Sequence, residues 1–120
     1  MLVTISKPKR LLYFSFIGNV TAEEIQEAQV DLVELLKELS PGFKLLSDLE
    51  RMTSIAVNAA PKIGEAMELC DQKGVELVVR VIPEQGKDIG LNILALFHYE
   101  RRPRTVTCKT MMEAEQALGI

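Results

Sequence analysis

Tryptophan is absent from this 120-residue chain, histidine occurs once and cysteine twice, and aromatic residues make up only 5%. Cys70 and Cys108 lie far apart with no CxxC spacing, and His98 has no second histidine to join it. That excludes the usual zinc ligand sets and leaves no expected metal site. Two isolated thiols read as reduced cysteines of a cytoplasmic protein. Positive charge is also in short supply, with 14 Lys and Arg against 17 Asp and Glu and a net charge of −3. Such a balance argues against the broad positive field that nucleic-acid binding needs.

Long hydrophobic runs are missing as well. The longest, around 11–17 and 92–97, fall far short of the ~20 residues of a membrane span. The first six residues have no positive region followed by an apolar core, so no signal peptide is expected. No GxGxxG follows a candidate strand, and Gly86–Lys87 lacks both the upstream Gly and the downstream Ser or Thr of a phosphate loop. No cofactor is expected.

What is present is the mix of a globular protein, 48% hydrophobic and 26% charged, in a length that suits one domain over 1–120. Leu2–Ser6 alternates weakly and reads as an edge strand, closed by the turn Lys7–Pro8–Lys9–Arg10. Leu11–Ile17 is an apolar run ended by Gly18–Asn19, the pattern of a strand buried on both faces. Thr21 with Glu24 forms a capping box. Behind it Ile25, Ala28, Leu32, Leu35, Leu36 and Leu39 recur at helical spacing, until Ser40–Pro41–Gly42 stops the helix.

Phe43–Leu49 predicts the next strand and 50–57 a loop. Asn58 is positioned to cap a helix reaching Lys73, with Ile63, Ala66, Met67 and Cys70 facing inward and Gly74 at a left-handed stop. Val75–Ile82 predicts a strand closed by Pro83, Gly86–Gly90 a loop, and Leu91–Tyr99 a helix with Leu94 and Phe97 facing in. Arg104–Cys108 predicts a last strand. Thr110 with Glu113 repeats the capping box ahead of a helix that packs Ala114, Ala117 and Leu118 inward. Strands alternating with helices imply an α/β fold, a mixed and mostly parallel five-stranded sheet with about four helices.

In such sheets ligands and partners meet the loops at the carboxyl ends of the strands. Chemistry is thin there. Asp48, Glu50, Glu84 and Asp88 are loop or strand-end acids better read as solvated than as a catalytic pair. His98 has no nucleophile beside it and reads as structural. Arg101, Arg102 and Arg104 next to Tyr99 offer phosphate contacts, but cations at a helix end are the simpler reading. No catalytic residue is assigned, and an enzyme is not expected. Met52, Met67, Met111 and Met112 suit an adaptable apolar pocket, though such residues are more often core filler.

The stretch Asp48–Leu49–Glu50–Arg51–Met52–Thr53–Ser54–Ile55–Ala56–Val57–Asn58–Ala59 resembles the signature of STAS domains, the SpoIIAA-like anti-sigma factor antagonist family. That signature runs Asp–Leu–Ser, an apolar-Thr-apolar-Ile step, then Asp–Ser–Ser–Gly at the mouth of a helix. Gly74–Val75-x-Leu77 and Thr110-x-x-Glu113–Ala114 are similar to the family too. The resemblance implies a bacterial, regulatory, non-enzymatic module whose partner is an anti-sigma factor or kinase-like ATPase. It places partner binding at Ser54, Ile55, Ala56, Val57, Asn58, Ala59 and Lys62.

In the family the second Ser of Asp–Ser–Ser–Gly accepts a phosphoryl group, which adds charge within the docking face and breaks the complex. Here Asn58 occupies that position and has no hydroxyl, and Ala56 replaces the acid. The usual phosphoacceptor is absent, with Ser54 or Thr53 as a displaced alternative. Two other readings stand beside this one. The chain is a small apolar-ligand or lipid carrier of the same fold, or it pairs as a homodimer through an exposed strand such as Leu2–Ser6.

Overall fold

The computed structural model describes residues 1–82 and 98–120. The predicted loop 86–90 and nearly all of the helix predicted over 91–99 therefore lie outside the described residues. Five strands form one sheet in the order β1 (Leu2–Ser6), β2 (Leu11–Val20), β3 (Lys44–Ile55), β4 (Leu77–Val81) and β5 (Arg104–Cys108). Only the β1–β2 pair, joined by the tight turn at 7–10, is antiparallel. The other three pairs are parallel and start level, since Leu11 faces Lys44, Lys44 faces Leu77 and Leu77 faces Arg104.

Helices α1 (Ala22–Leu36) and α2 (Ala60–Lys73) cover one face of the sheet. Ile25, Leu32, Ile63, Met67 and Cys70 pack there against Phe14, Phe16, Leu45, Leu49 and Val78. Helix α3 (Met111–Leu118) crosses the other face, where Ala114 and Leu118 meet Leu46, Val79 and Val81. β4 is apolar on both sides apart from Arg80, as a central parallel strand covered by two layers must be. The α/β fold with a mostly parallel sheet is as predicted, and the described residues hold three α-helices.

The helix starts follow the sequence in two cases and depart from it in one. Thr21 accepts the Glu24 N–H at 3.2 Å, and Thr110 accepts that of Glu113 at 3.2 Å. The return halves of both boxes are altered. Glu24 lies 3.5 Å from the Met1 amino group, and Glu113 accepts the N–H of Lys109 rather than that of Thr110.

Asn58, predicted to cap α2, does not. Residues Val57–Ala59 form a single 3-10 turn, and α2 opens at Ala60 with Ala59 at the cap position and no side-chain cap bond. The physical reason lies in the backbone. The Ala59 N–H is already spent on the carbonyl of Ala56 at 2.9 Å. Pro61, in the first turn, has no N–H to satisfy.

The predicted loop over 50–57 is a second correction. β3 does not stop at Leu49 but continues to Ile55. Gly18 and Asn19, which read as a strand end, lie inside β2. Gly18 takes a left-handed φ of 67° at a register shift, and the pairing then resumes as Asn19 with Ser54 and Val20 with Ile55. Glycine is the residue that enters such a bulge at little steric cost. At the far end of α2, Gly74 adopts the expected left-handed stop with φ of 96°.

Candidate functional site

At the carboxyl end of the sheet, the tips of β2 and β3 are pinned together before the chain turns into α2. The Ala56 N–H donates to the carbonyl of Val20 at 2.9 Å. The Ser54 hydroxyl lies 2.6 Å from Oδ1 of Asn19. From this base the chain makes its 3-10 turn. Ala59 is fully buried beneath it, while Val57 is 96% exposed and Asn58 points to solvent.

The site residues expected from the sequence therefore separate into two groups. Ser54, Val57 and Asn58 are exposed, and Ile55, Ala56 and Lys62 are half-buried at the rim. Ala59 belongs to the core, where it shapes the turn but is out of reach of any partner. Lys62 sits one turn into α2, with its backbone carbonyl accepting Nε2 of Gln29 at 3.0 Å. The same amide reaches Glu65 at 3.1 Å, and Lys62 is 3.4 Å from that carboxylate. Hydrogen bonding from Gln29, then the nearby Lys62, holds the exposed Glu65 carboxyl below its ordinary value. These contacts fix α2 to α1, so the turn is carried on a braced support.

The acids considered for catalysis have other duties or lie elsewhere. Asp48 is buried on β3, where it accepts the Tyr13 hydroxyl at 3.1 Å and the Glu50 N–H at 3.0 Å. Burial, together with the Asp48 charge, raises the Tyr13 pKa despite a lowering hydrogen bond with Ser15. Glu50 is exposed, and Glu84 and Asp88 lie outside the described residues. His98 packs against Gly64 of α2, and its Nδ1 is 2.6 Å from Glu68. That is a helix-bracing contact with no nucleophile in it. Among the described residues, no three His, Cys, Asp or Glu side chains gather to hold a metal ion.

The methionines do not converge. Met52 and Met67 are buried on the α1–α2 side, whereas Met112 is 71% exposed on α3. A cavity of about 30 Å³ does exist between α1, α2 and the sheet, bordered by Phe14, Phe16, Ile25, Ile63 and Met67. Its polar border is Ser47, Tyr99 and Arg80, and Arg80 is only 2% exposed. Burial pushes the Tyr99 hydroxyl far above the ordinary phenol range, while the Arg80 charge pulls the other way. Sequence reasoning passed over Arg80. The one signal was a charged residue in the middle of the otherwise apolar run Leu77–Val81.

No family model matches the chain, and neither does any curated protein. Solved structures do. An uncharacterized protein of the DUF3478 family with a SpoIIAA-like fold, from Shewanella loihica PV-4, superposes with a TM-score of 0.74 at 16% identity, covering 98% of this chain and 90% of that one. The anti-sigma factor antagonist SpoIIAA in its unphosphorylated form superposes with a TM-score of 0.62 at 8% identity, covering 99% and 98%. The chain has the SpoIIAA-like fold of STAS domains.

Proposed function

We propose that this chain is a non-enzymatic, cytoplasmic docking module that binds a regulatory protein through Ser54–Asn58 and Lys62. The observation that carries the reading is Val57. A large apolar side chain stands 96% exposed on a hydrogen-bonded turn at the carboxyl end of a mostly parallel sheet, the edge where such folds meet their ligands. Asn58 beside it makes no capping bond and is available to a partner. The likeness to SpoIIAA supports a partner of the anti-sigma factor or kinase-like ATPase kind.

Control of the complex would differ from the phosphoryl switch, because the amide of Asn58 cannot accept a phosphoryl group. The test is calorimetric titration with a candidate kinase-like ATPase, with and without ATP, followed by intact-mass measurement. The expected result is a complex that survives ATP with no phosphoryl group gained, weakened about tenfold or more by Val57→Asp. Stoichiometric phosphorylation within 53–58, or equal affinity for the variant, would overturn it.

The cavity favours a second reading, an apolar-ligand carrier. About 30 Å³ is room for little more than water, so α1 and α2 would have to part from the sheet to admit a ligand. Native mass spectrometry separates the readings. A co-purifying apolar molecule supports the carrier, and a bare chain that binds protein supports docking.

A further inference from the structure

The cations are not spread evenly over this acidic chain. Because β2, β3, β4 and β5 start level, residues just before each strand share one end of the molecule. Lys9 and Arg10 precede β2, Lys44 opens β3, Arg101 and Arg102 precede β5 and Arg104 opens it. Contacts confirm that these segments meet. Arg10 donates to the carbonyl of Pro41 at 2.7 Å, Gly42 donates to that of Gly74 at 2.8 Å, and Arg101 reaches the neighbourhood of Gly74. Lys7, in the same turn, is paired with Glu38 at 2.8 Å. Lys73, just ahead of Gly74, adds to these cations, while Lys44 is already bonded to the Leu118 carbonyl at 2.8 Å. Among the described residues the acids facing them are Glu76, Glu100 and the buried Asp71, whose carboxylate accepts the N–H groups of Glu100 and Arg101.

Among the described residues, this end of the chain is thus net positive and the rest net negative. Backbone conformation gives a second, independent mark. Among the described residues, the non-glycine residues with left-handed φ are Arg10 at 52° and Arg102 at 49°, both at this end. Residues with a Cβ adopt that region at a cost, so arginine stands at two positions where glycine or asparagine would be easier.

We propose that this end is a docking surface for an anionic lipid bilayer, separate from the protein-docking turn at the opposite end of the sheet. The charge distribution selects a planar polyanion. A flat surface meets only the positive end and leaves the acidic remainder in solution, whereas a polymer such as duplex DNA extends past the patch into repulsion. Guanidinium forks match phosphate oxygens. Nucleic acid is further disfavoured because Phe43 and Tyr99, the rings near this end among the described residues, are buried and cannot stack on bases. A chain held this way presents Ser54–Asn58 away from the membrane.

The test is co-sedimentation of the full chain with vesicles of phosphatidylcholine alone and of phosphatidylcholine mixed with phosphatidylglycerol. Binding to the mixed vesicles at low salt is expected, with none to phosphatidylcholine and none in about 1 M salt, where the Debye length falls to about 3 Å. Lys9→Gln with Arg102→Gln should weaken binding about twenty- to thirtyfold, about fivefold per cation. Arg51→Gln with Lys109→Gln makes the same change in net charge at the other end and should leave binding unchanged. The proposal is overturned by failure to bind mixed vesicles, by equal effects of the two pairs, or by tighter binding to duplex DNA at the same salt.

Discussion

The starts of α1 and α2 solve one problem in opposite ways. At α1 a hydroxyl from the chain itself, that of Thr21, fills the gap left by the open N–H groups. At α2 the backbone does the work through a 3-10 turn and Pro61, and the side chains of Val57 and Asn58 are left without internal duties. A turn that needs nothing from its exposed side chains can devote them to a partner. Structural and functional demands are separated there, whereas at Thr21 they are not.

Packing should be where the two helix starts are alike. Ile25 under α1 is 1% exposed and Ile63 under α2 is 6% exposed. Truncating either to Ala should cost about 2–5 kcal/mol in urea denaturation, and a cost near zero at Ile63 would mean α2 is not seated on the core. Capping should be where they differ. Thr21→Ala is expected to lose about 1 kcal/mol, while Asn58→Ala stays within about 0.5 kcal/mol of the parent. A matching loss at Asn58 would show that it caps α2 after all.

Deeper in α2, Gly64 tests how closely the helix is held from outside. A Cβ there would run into the His98 ring. Gly64→Ala should therefore destabilise by about 1 kcal/mol or more. In a His98→Ala background the same change should be neutral or stabilising, since Ala outranks Gly in a helix by about 1 kcal/mol. Thermal melts of the four proteins give the coupling directly.

The subtlest contrast is in pH dependence. Burial, with the Asp71 charge adding to it, pushes the Cys70 thiol up to about 12 from its ordinary value of 9.0. The folded chain keeps that proton while the unfolded chain releases it near pH 9. Stability is therefore fully present below pH 9 and is lost progressively as pH rises toward 12. The native thiol should resist a disulfide reagent at pH 8 and react once the chain is unfolded. Rapid labelling of Cys70 in the folded protein would contradict its burial against Tyr99.

These contrasts also mark how far the sequence can be read. Thr21, Gly74 and Thr110 announce their elements because each acts on residues three or four positions away. Arg104–Cys108 is legible because Thr105 and Thr107 alternate with Val106 and Cys108. The extension of β3 to Ile55 was not, because it depends on a bulge at Gly18 in another strand, brought alongside only by folding. The start of α2 was misread for a related reason. Asn58 is a good cap in isolation, and only the pairing of Ala56 with Val20 shows that the turn closes without it. Within 54–62, the burial of Ala59 and the full exposure of Val57 emerge only from the way that turn is mounted.

The most direct test of docking at this turn is amide NMR of the labelled chain, titrated with a kinase-like ATPase that binds it. The account predicts that resonance changes concentrate at 54–62, with Ala59 shifting only as a neighbour, and that Val57→Asp moves them to about tenfold or more higher ATPase concentration. Changes confined to α3 or to β1, with 54–62 silent, would contradict it.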